Sequence, residues 1–127
     1  MTKSGKGSVL IVDDDPMFIN FLLDMLRDYT IFIARNGHSA ITEAMNNIPD
    51  FILMDLNMPD MSGYEVMMAL RYMKETASIP VILISGDDNP VAMEKGMDFG
   101  AVDYIQKNLG ADVIIKRIMV RMEKLDR

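Results

Sequence analysis

The sequence contains no cysteine, no tryptophan and only one histidine. The absence of cysteine excludes a disulfide framework, a zinc knuckle and a thiol nucleophile, and it fits a reducing compartment. The two strongest apolar runs, residues 9–12 and 81–84, are far too short to cross a bilayer. The first run continues directly into three aspartates, which a secretory signal would not contain. These features predict a soluble, cytoplasmic protein without membrane contact.

Basic residues are also scarce. Lys and Arg number 13 against 19 Asp and Glu, which gives a net charge of −6. Direct binding to nucleic acid or to an anionic membrane requires a basic patch, so this balance argues against both. The length of 127 residues fits one domain. We expect a disordered tail at residues 1–7 and a single domain at 8–127, without linkers or repeats.

Short β-branched runs alternate with longer amphipathic stretches along the chain. Three strand candidates are almost wholly apolar, as in strands that are covered on both faces, and two are less so. The alternation predicts a doubly wound α/β fold, in which helices cover both faces of a five-stranded parallel sheet. The candidate strands are residues 9–12, 31–34, 51–54, 81–84 and 104–106.

The helix starts carry clear signals. Asp15 and Asn89 each precede a proline, which predicts a cap followed by the first helical residue. Ser62 and Glu65 have the spacing of a capping box. The second helix is predicted at residues 37–46 and the last at 112–124, and the apolar stripe of the last is Val113, Ile114, Ile118, Met122 and Leu125.

Chemically useful side chains follow four of the predicted strands. In an open parallel sheet, ligands bind beyond the carboxyl ends of the strands. Asp13, Asp14 and Asp15 follow the first strand, Asp55 the third, Ser85 with Gly86 the fourth, and Lys107 the fifth.

Clustered carboxylates repel one another, and a hard divalent cation removes that conflict. An all-oxygen ligand set with few protein ligands suits Mg²⁺. An aspartate oxygen is a competent phosphoryl acceptor, and transfer requires mainly positioning and charge neutralisation. The groups at this edge therefore contain every part of a phosphoaspartate site.

Several motifs resemble those of the receiver domains of two-component response regulators. LIVDDDP at 10–16 resembles the opening of that family, and DLNMP at 55–59, with Gly63 beyond, resembles its phospho-acceptor loop. The Ser-Gly pair at 85–86 and Lys107 match its hydroxyl-plus-small pair and its lysine. The resemblance covers residues 8–124 and implies the flavodoxin-like strand order 2-1-3-4-5.

The resemblance implies a role for each residue of the site. Asp55 would be the phosphoryl acceptor. Asp14 and Asp55 would bind Mg²⁺ through their side chains and Asn57 through its backbone carbonyl, while Asp13 would act through a water. Lys107 would pair with the acceptor or with phosphoryl oxygens.

The resemblance also implies a switch and partners. Ser85 would move toward the phosphoryl group and free space for Tyr104 to swing inward, which changes the surface of the fourth helix, fifth strand and fifth helix. As the alternative, Tyr104 is a half-buried strand residue. The phosphoryl donor would be a sensor histidine kinase or a phosphotransfer protein, and a downstream output domain or protein would receive the signal.

Three further positions bear on this interpretation. The family usually has proline after the lysine, whereas this chain has Asn108, so we expect a trans peptide bond between Lys107 and Asn108 or a strained cis one. Asn57 and Asp87 lie two residues after Asp55 and Ser85, where the family tunes loss of the phosphoryl group. This polar pair predicts fairly quick autodephosphorylation.

Some residues and functions have plainer readings. Asp15 is expected to cap the first helix, and His38 to be an exposed structural residue.

The chain would promote only its own phosphorylation and dephosphorylation, without being a turnover enzyme. A magnesium-dependent aspartyl-phosphate phosphohydrolase and a phosphorylation-independent pseudo-receiver remain as alternatives. A serine hydrolase is weaker, because no Gly-x-Ser-x-Gly elbow exists.

Overall fold

The computed structural model describes residues 7–125 of the chain, without the side chain of Leu125. Residues 1–6 of the expected tail and residues 126–127 lie outside the described residues. In chain order the elements are β1 (Ser8–Val12), α1 (Pro16–Met25), β2 (Thr30–Ala34), α2 (Gly37–Asn47), β3 (Phe51–Asp55), α3 (Gly63–Tyr72), β4 (Val81–Ser85), α4 (Pro90–Asp98), β5 (Asp103–Gln106), a 3₁₀ turn (Lys107–Leu109) and α5 (Ala111–Leu125).

All strand pairs are parallel, and the order in the sheet is β2-β1-β3-β4-β5. The predicted fold and strand order are therefore confirmed. Each strand is one residue longer than predicted. Asp55 and Ser85 are consequently the last residues of β3 and β4 and do not follow these strands.

The alternation of strand side chains divides the core into two layers. Ile11, Leu53 and Ile84 pack with α1 and α5 on one face. Leu10 and Met54 belong to the opposite cluster, with α2 and α3. Because both faces are covered, the central strands are buried along their whole length, which explains their nearly continuous apolar sequence.

The predicted caps fix the helix starts that flank the site. The side chain of Asp15 accepts from the amide of Met17 at 3.0 Å, and that of Asn89 accepts from Val91 at 2.9 Å. Ser62 forms the reciprocal capping box with Glu65. These caps satisfy amides that a helix leaves without internal partners.

One residue of the predicted stripe of α5 is placed wrongly. Ile114, Ile118 and Met122 are buried, but Val113 is 45% exposed. Val113 and Ile114 are consecutive, so their side chains point about 100° apart on a helix and only Ile114 faces the sheet. None of the helices within residues 7–125 has the length and apolar content that a bilayer crossing requires.

Candidate functional site

The register between β1 and β3 brings two acidic positions together at the carboxyl edge of the sheet. Val12 is aligned with Met54, so the next residues along the two strands, Asp13 and Asp55, lie side by side. Both are almost fully buried. Two carboxylates are therefore held at the end of a rigid, fully packed pair of strands.

The register of β4 and β5 brings the other two predicted groups to the same edge. Asp55 is aligned with Ile84, so Ser85 stands one residue further along the neighbouring strand. Ser85 is in turn aligned with Gln106, and Lys107 follows directly. The four strand ends that the sequence singled out thus lie next to one another.

Three carboxylates form the centre of this edge. One oxygen of each of Asp13, Asp14 and Asp55 lies within 4.8 Å of the others. Asp14 is exposed, while the carboxylate of Asp13 is fixed by the amide of Asp15 at 2.9 Å. Mg²⁺ holds oxygen ligands at about 2.1 Å, so ligands on its opposite sides are about 4.2 Å apart. The spacing and the purely oxygen donor set fit Mg²⁺.

Lys107 supplies the positive charge of the cluster. Its Nζ lies 2.8 Å from Oδ2 of Asp13 and 3.9 Å from Oδ2 of Asp55. Within residues 7–125, this ammonium pairs with Asp13 and Asp55, which leaves the cluster of three carboxylates with excess negative charge. This excess favours a divalent cation at the exposed side, near Asp14.

The environment of Asp55 raises its pKa to about 6. Burial is the largest cause, and the carboxylates of Asp13 and Asp14 raise it further. The ammonium of Lys107 and a hydrogen bond from the Asn57 amide oppose this rise in the pKa. Asp55 is therefore mainly ionised at neutral pH, and it is a stronger base than an ordinary surface aspartate.

The side chains of Ser85 and Tyr104 both form a hydrogen bond with the backbone of Asp87, in the loop between β4 and α4. The Oγ of the fully buried Ser85 accepts a hydrogen bond from the amide of Asp87 at 3.1 Å. The Tyr104 ring is also buried and lies inward, and burial raises the pKa of its phenol. The ring is therefore more deeply buried than the alternative expected, and it already lies in the inward position that the resemblance assigns to the state after Ser85 has moved.

The remaining predicted positions border the cluster. Asn57 and Asp87 are exposed. Asp15 caps α1 and lies outside the group of three carboxylates. Every peptide bond among residues 7–125 is trans. Of the two forms expected for the bond between Lys107 and Asn108, the structure therefore has the trans form.

Two contacts near the site are not evident from the sequence. The ring of Phe18 lies below the ammonium of Lys107, with Nζ 4.5 Å from its centroid. Asp60, in the loop after β3, accepts from the amides of Gly37 and His38 at the start of α2. No sequence signal links these pairs, because the partners are far apart in the chain.

Comparisons with known proteins identify this arrangement. Residues 9–119 match the family model described as response regulator receiver domain. The chain is 32% identical over 118 residues to the transcriptional regulatory protein KdpE of Mycobacterium tuberculosis, with 91% of this chain and 51% of that protein covered. It is 37% identical over 118 residues to a Vibrio cholerae protein named "Probable cyclic di-GMP phosphodiesterase", with 91% of this chain and 26% of that protein covered.

A solved structure agrees with these matches. The chemotaxis response regulator CheY4 of Vibrio cholerae superposes with a TM-score of 0.81 at 25% identity, with 91% of this chain and 97% of that chain covered. The chain spans 26% to 51% of the length of these two relatives. Activities that their other parts carry are therefore properties of those proteins.

Proposed function

Because the chain belongs to the family of response regulator receiver domains of two-component systems, we propose that Asp55 accepts a phosphoryl group and thereby switches the surface formed by α4, β5 and α5. The observation that carries this proposal is the placement of Asp55 in one cluster with two further carboxylates and the ammonium of Lys107. An ionised and partly desolvated carboxylate oxygen is available as the nucleophile.

In the proposed step, an oxygen of Asp55 forms a bond to phosphorus while the bond between phosphorus and the donor breaks. With a phosphohistidine donor, the ring nitrogen that was bonded to phosphorus keeps the electron pair of that bond. The other ring nitrogen carries the proton, so the imidazole leaves in its neutral form. The Asp55 backbone lies at the end of a buried strand, so the nucleophile is held in place before the donor arrives. Lys107 and the Ser85 hydroxyl would donate hydrogen bonds to the phosphoryl oxygens.

Asp13, Asp14 and Asp55 would hold Mg²⁺, with the backbone carbonyl of Asn57 as a further ligand and Asp13 acting through water. When bound, the cation supplies charge neutralisation at the phosphoryl oxygens. Lys107 remains on the buried side of the cluster, where it contacts Asp13. Asp55 would therefore face the cation on one side and the ammonium on the other.

The proposed output begins at Ser85. A move of its hydroxyl toward the phosphoryl group would give up the hydrogen bond to Asp87 and release the loop that leads into α4. Tyr104 of β5 contacts the same residue. On the other side of β5, Arg117 and Arg121 of α5 hold the buried Asp103 at 2.6 and 3.2 Å. A change at Ser85 would therefore reach α4, β5 and α5 together.

The donor would be a sensor histidine kinase or a phosphotransfer protein, and the receiver of the signal a downstream domain or protein. Water would later remove the phosphoryl group, so the chain would act only on itself. Asn57 and Asp87 are exposed beside the site and would admit that water. The polar pair is proposed to permit fairly quick dephosphorylation.

The test is phosphorylation of the chain by a small phosphodonor with Mg²⁺, followed by intact-mass measurement. The parent is expected to gain one phosphoryl group, and Asp55→Asn to gain none. Beryllofluoride with Mg²⁺ should change the amide spectrum of α4, β5 and α5 in the parent alone. A parent that stays unlabelled and spectrally unchanged would refute the proposed function.

A further inference from the structure

The ammonium of Lys107 is enclosed by groups of two kinds. Carboxylate oxygens of Asp13 and Asp55 lie at 2.8 and 3.9 Å from Nζ. The face of the Phe18 ring lies on another side, with its centroid 4.5 Å from Nζ. As a result, only 22% of the Lys107 side chain is exposed.

The main chain after Lys107 gives the side chain little support. Residues 108–110 are exposed, and the 3₁₀ turn that starts at Lys107 has no side-chain cap. A lysine ammonium is carried on a flexible four-carbon stem, so its position depends on its partners. The position of Nζ is therefore set by side chains from other elements.

Phe18 is well placed to act as such a partner. It is the third residue of α1, whose start is fixed by the Asp15 cap and Pro16. Its ring is half-buried, packs on the core between the sheet, α1 and α5, and touches Phe21 at 5.5 Å between centroids. The ring therefore has a defined place from which its negative face meets the ammonium.

A ring differs from a carboxylate as a partner. It attracts the ammonium through its quadrupole but carries no net charge, so the lysine keeps its positive charge for other oxygens. Cation binding at Asp13 and Asp55 would weaken the hold of these carboxylates on Lys107. The contact with Phe18 is independent of the cation and would persist.

We propose that Phe18 is a positioning residue for Lys107: its ring keeps the ammonium beside Asp55 when the carboxylates are engaged elsewhere. This inference rests on the proposed function, because the benefit is expressed in the transfer of a phosphoryl group to Asp55. The contact itself exists without any phosphoryl group, and it is therefore testable separately.

The contact is tested by NMR of the chain in buffer without divalent cations. The ε-methylene protons of Lys107 should be shifted upfield by the Phe18 ring. Phe18→Leu should remove this shift, and Phe18→Tyr, which keeps the ring, should retain it. Phe32→Leu is the matched control, because it makes the same change at a half-buried phenylalanine that packs on the opposite core cluster, away from Phe18.

The function of the contact is tested by the rate of phosphorylation with phosphoramidate and Mg²⁺. Phe18→Leu should slow the reaction by about three- to tenfold, as expected for loss of one partly desolvated cation–π contact. Phe18→Tyr should restore most of the rate, and Phe32→Leu should stay within about twofold of the parent. In a Lys107→Met background, Phe18→Leu should produce no further slowing, because the two residues act as one unit.

The outcomes separate this inference from the proposed function. An unshifted Lys107 methylene in the parent would overturn the inference, as would equal slowing by Phe18→Leu with and without Lys107. A parent that takes no phosphoryl group would refute the proposed function and, with it, the positioning role. The methylene shift would then still report whether the ring holds the ammonium.

Discussion

The hydroxyl of Tyr104 donates a hydrogen bond of 2.7 Å to the main-chain carbonyl of Asp87. The amide of the same residue donates to Ser85. The two side chains proposed to form the switch are therefore connected through one residue of the loop before α4. A displacement of either side chain changes the surroundings of the other through two hydrogen bonds.

Tyr104→Phe tests this connection. The change removes the hydroxyl but keeps the ring, and we expect it to lower the free energy of unfolding by about 1 kcal/mol. Tyr64→Phe is the matched control, because Tyr64 donates a bond of the same length, 2.7 Å, to the carbonyl of Ala92. Urea unfolding should show similar losses for both. Only Tyr104→Phe should shift the amide signals of residues 86–88, and an equal shift in both variants would contradict the connection.

Gly96→Ala tests whether α4 must lie close to the sheet. A Cβ at Gly96 would lie 2.7 Å from Cδ1 of Leu83 and 3.4 Å from Cδ2 of Tyr104, both buried. Alanine gains about 1 kcal/mol of helix propensity, whereas overpacking a core costs about 1–3 kcal/mol. We expect a net loss of about 1 kcal/mol in urea unfolding.

The control for this prediction is Gly86→Ala, because a Cβ at Gly86 would meet nothing within 4 Å. Its stability should stay within about 0.5 kcal/mol of the parent. If Gly96→Ala were as stable as the control or more so, the close approach of α4 would not be a constraint.

The sequence predicts the fold and the edge of the sheet well, because both follow from local patterns. Apolar runs define the central strands, and caps such as Asp15 define where helices begin. Parallel pairing then forces residues at the strand ends to be neighbours. Asp13 and Asp55 could be placed together without any knowledge of their contacts.

What the sequence leaves open depends on tertiary packing. The stripe of α5 does not fix which of Val113 and Ile114 faces the sheet, since helix rotation is decided by the partner surface. Phe18 has the pattern of an inner-face residue, which indicates burial but not its contact with Lys107. His38 is exposed as expected, yet its partner Asp60 lies in a loop whose path no periodicity describes.

The pKa of Asp55 predicts how the stability of the metal-free chain depends on pH. A folded-state pKa of about 6 lies above the ordinary value of 3.8. Folding therefore favours the protonated form, and stability falls as pH rises from about 4 to about 6. Asp55→Asn removes this penalty. The variant should therefore be more stable than the parent above pH 6 and about equally stable below pH 4.

The full shift corresponds to about 3 kcal/mol, and screening by solvent at the open side of the site reduces this to about 1–2 kcal/mol. Urea unfolding of parent and variant in chelating buffer between pH 4 and pH 7.5 measures the difference. A difference that is constant across this range would contradict the raised pKa.

Asp60 is predicted to hold the acceptor loop against α2. Its carboxylate accepts from the amides of Gly37 and His38 at 2.8 and 3.0 Å and contacts Nδ1 of His38 at 2.5 Å. These hydrogen bonds hold the pKa of Asp60 well below its usual range, and the bond from the amide of Gly37 has the largest effect. The contribution of Asp60 to stability is thus present at neutral pH and is lost as pH falls through that lowered pKa.

Asp60→Ala should speed hydrogen exchange at the amides of Gly37 and His38 and lower the melting temperature. Asp24→Ala is the control, because among the described residues Asp24 pairs only with Arg27, just beyond the end of α1, and both side chains are exposed. Exchange that is unchanged in Asp60→Ala would show that these amides are protected by the helix alone.

Asp14 and Asp15 are adjacent acids with different predicted roles, and Mg²⁺ binding separates them. Asp14 belongs to the group of three carboxylates, whereas the side chain of Asp15 accepts from Met17 as a helix cap. Asparagine is as good a cap as aspartate, so Asp15→Asn removes a charge without unfolding α1. Asp14→Asn removes the same charge one residue away, but it also removes a proposed ligand.

Calorimetric titration with Mg²⁺ at constant ionic strength should therefore show different effects. Asp14→Asn is expected to weaken Mg²⁺ binding by at least about tenfold. Loss of a group that only orients a metal ligand already weakens metal binding by about this factor, and Asp14 is proposed to be a ligand itself. Asp15→Asn should weaken it by less than about threefold, because its charge acts at longer range and is screened by salt. Equal losses in the two variants would mean that Mg²⁺ responds only to the general negative potential of this edge, and the proposed ligand role of Asp14 would be wrong.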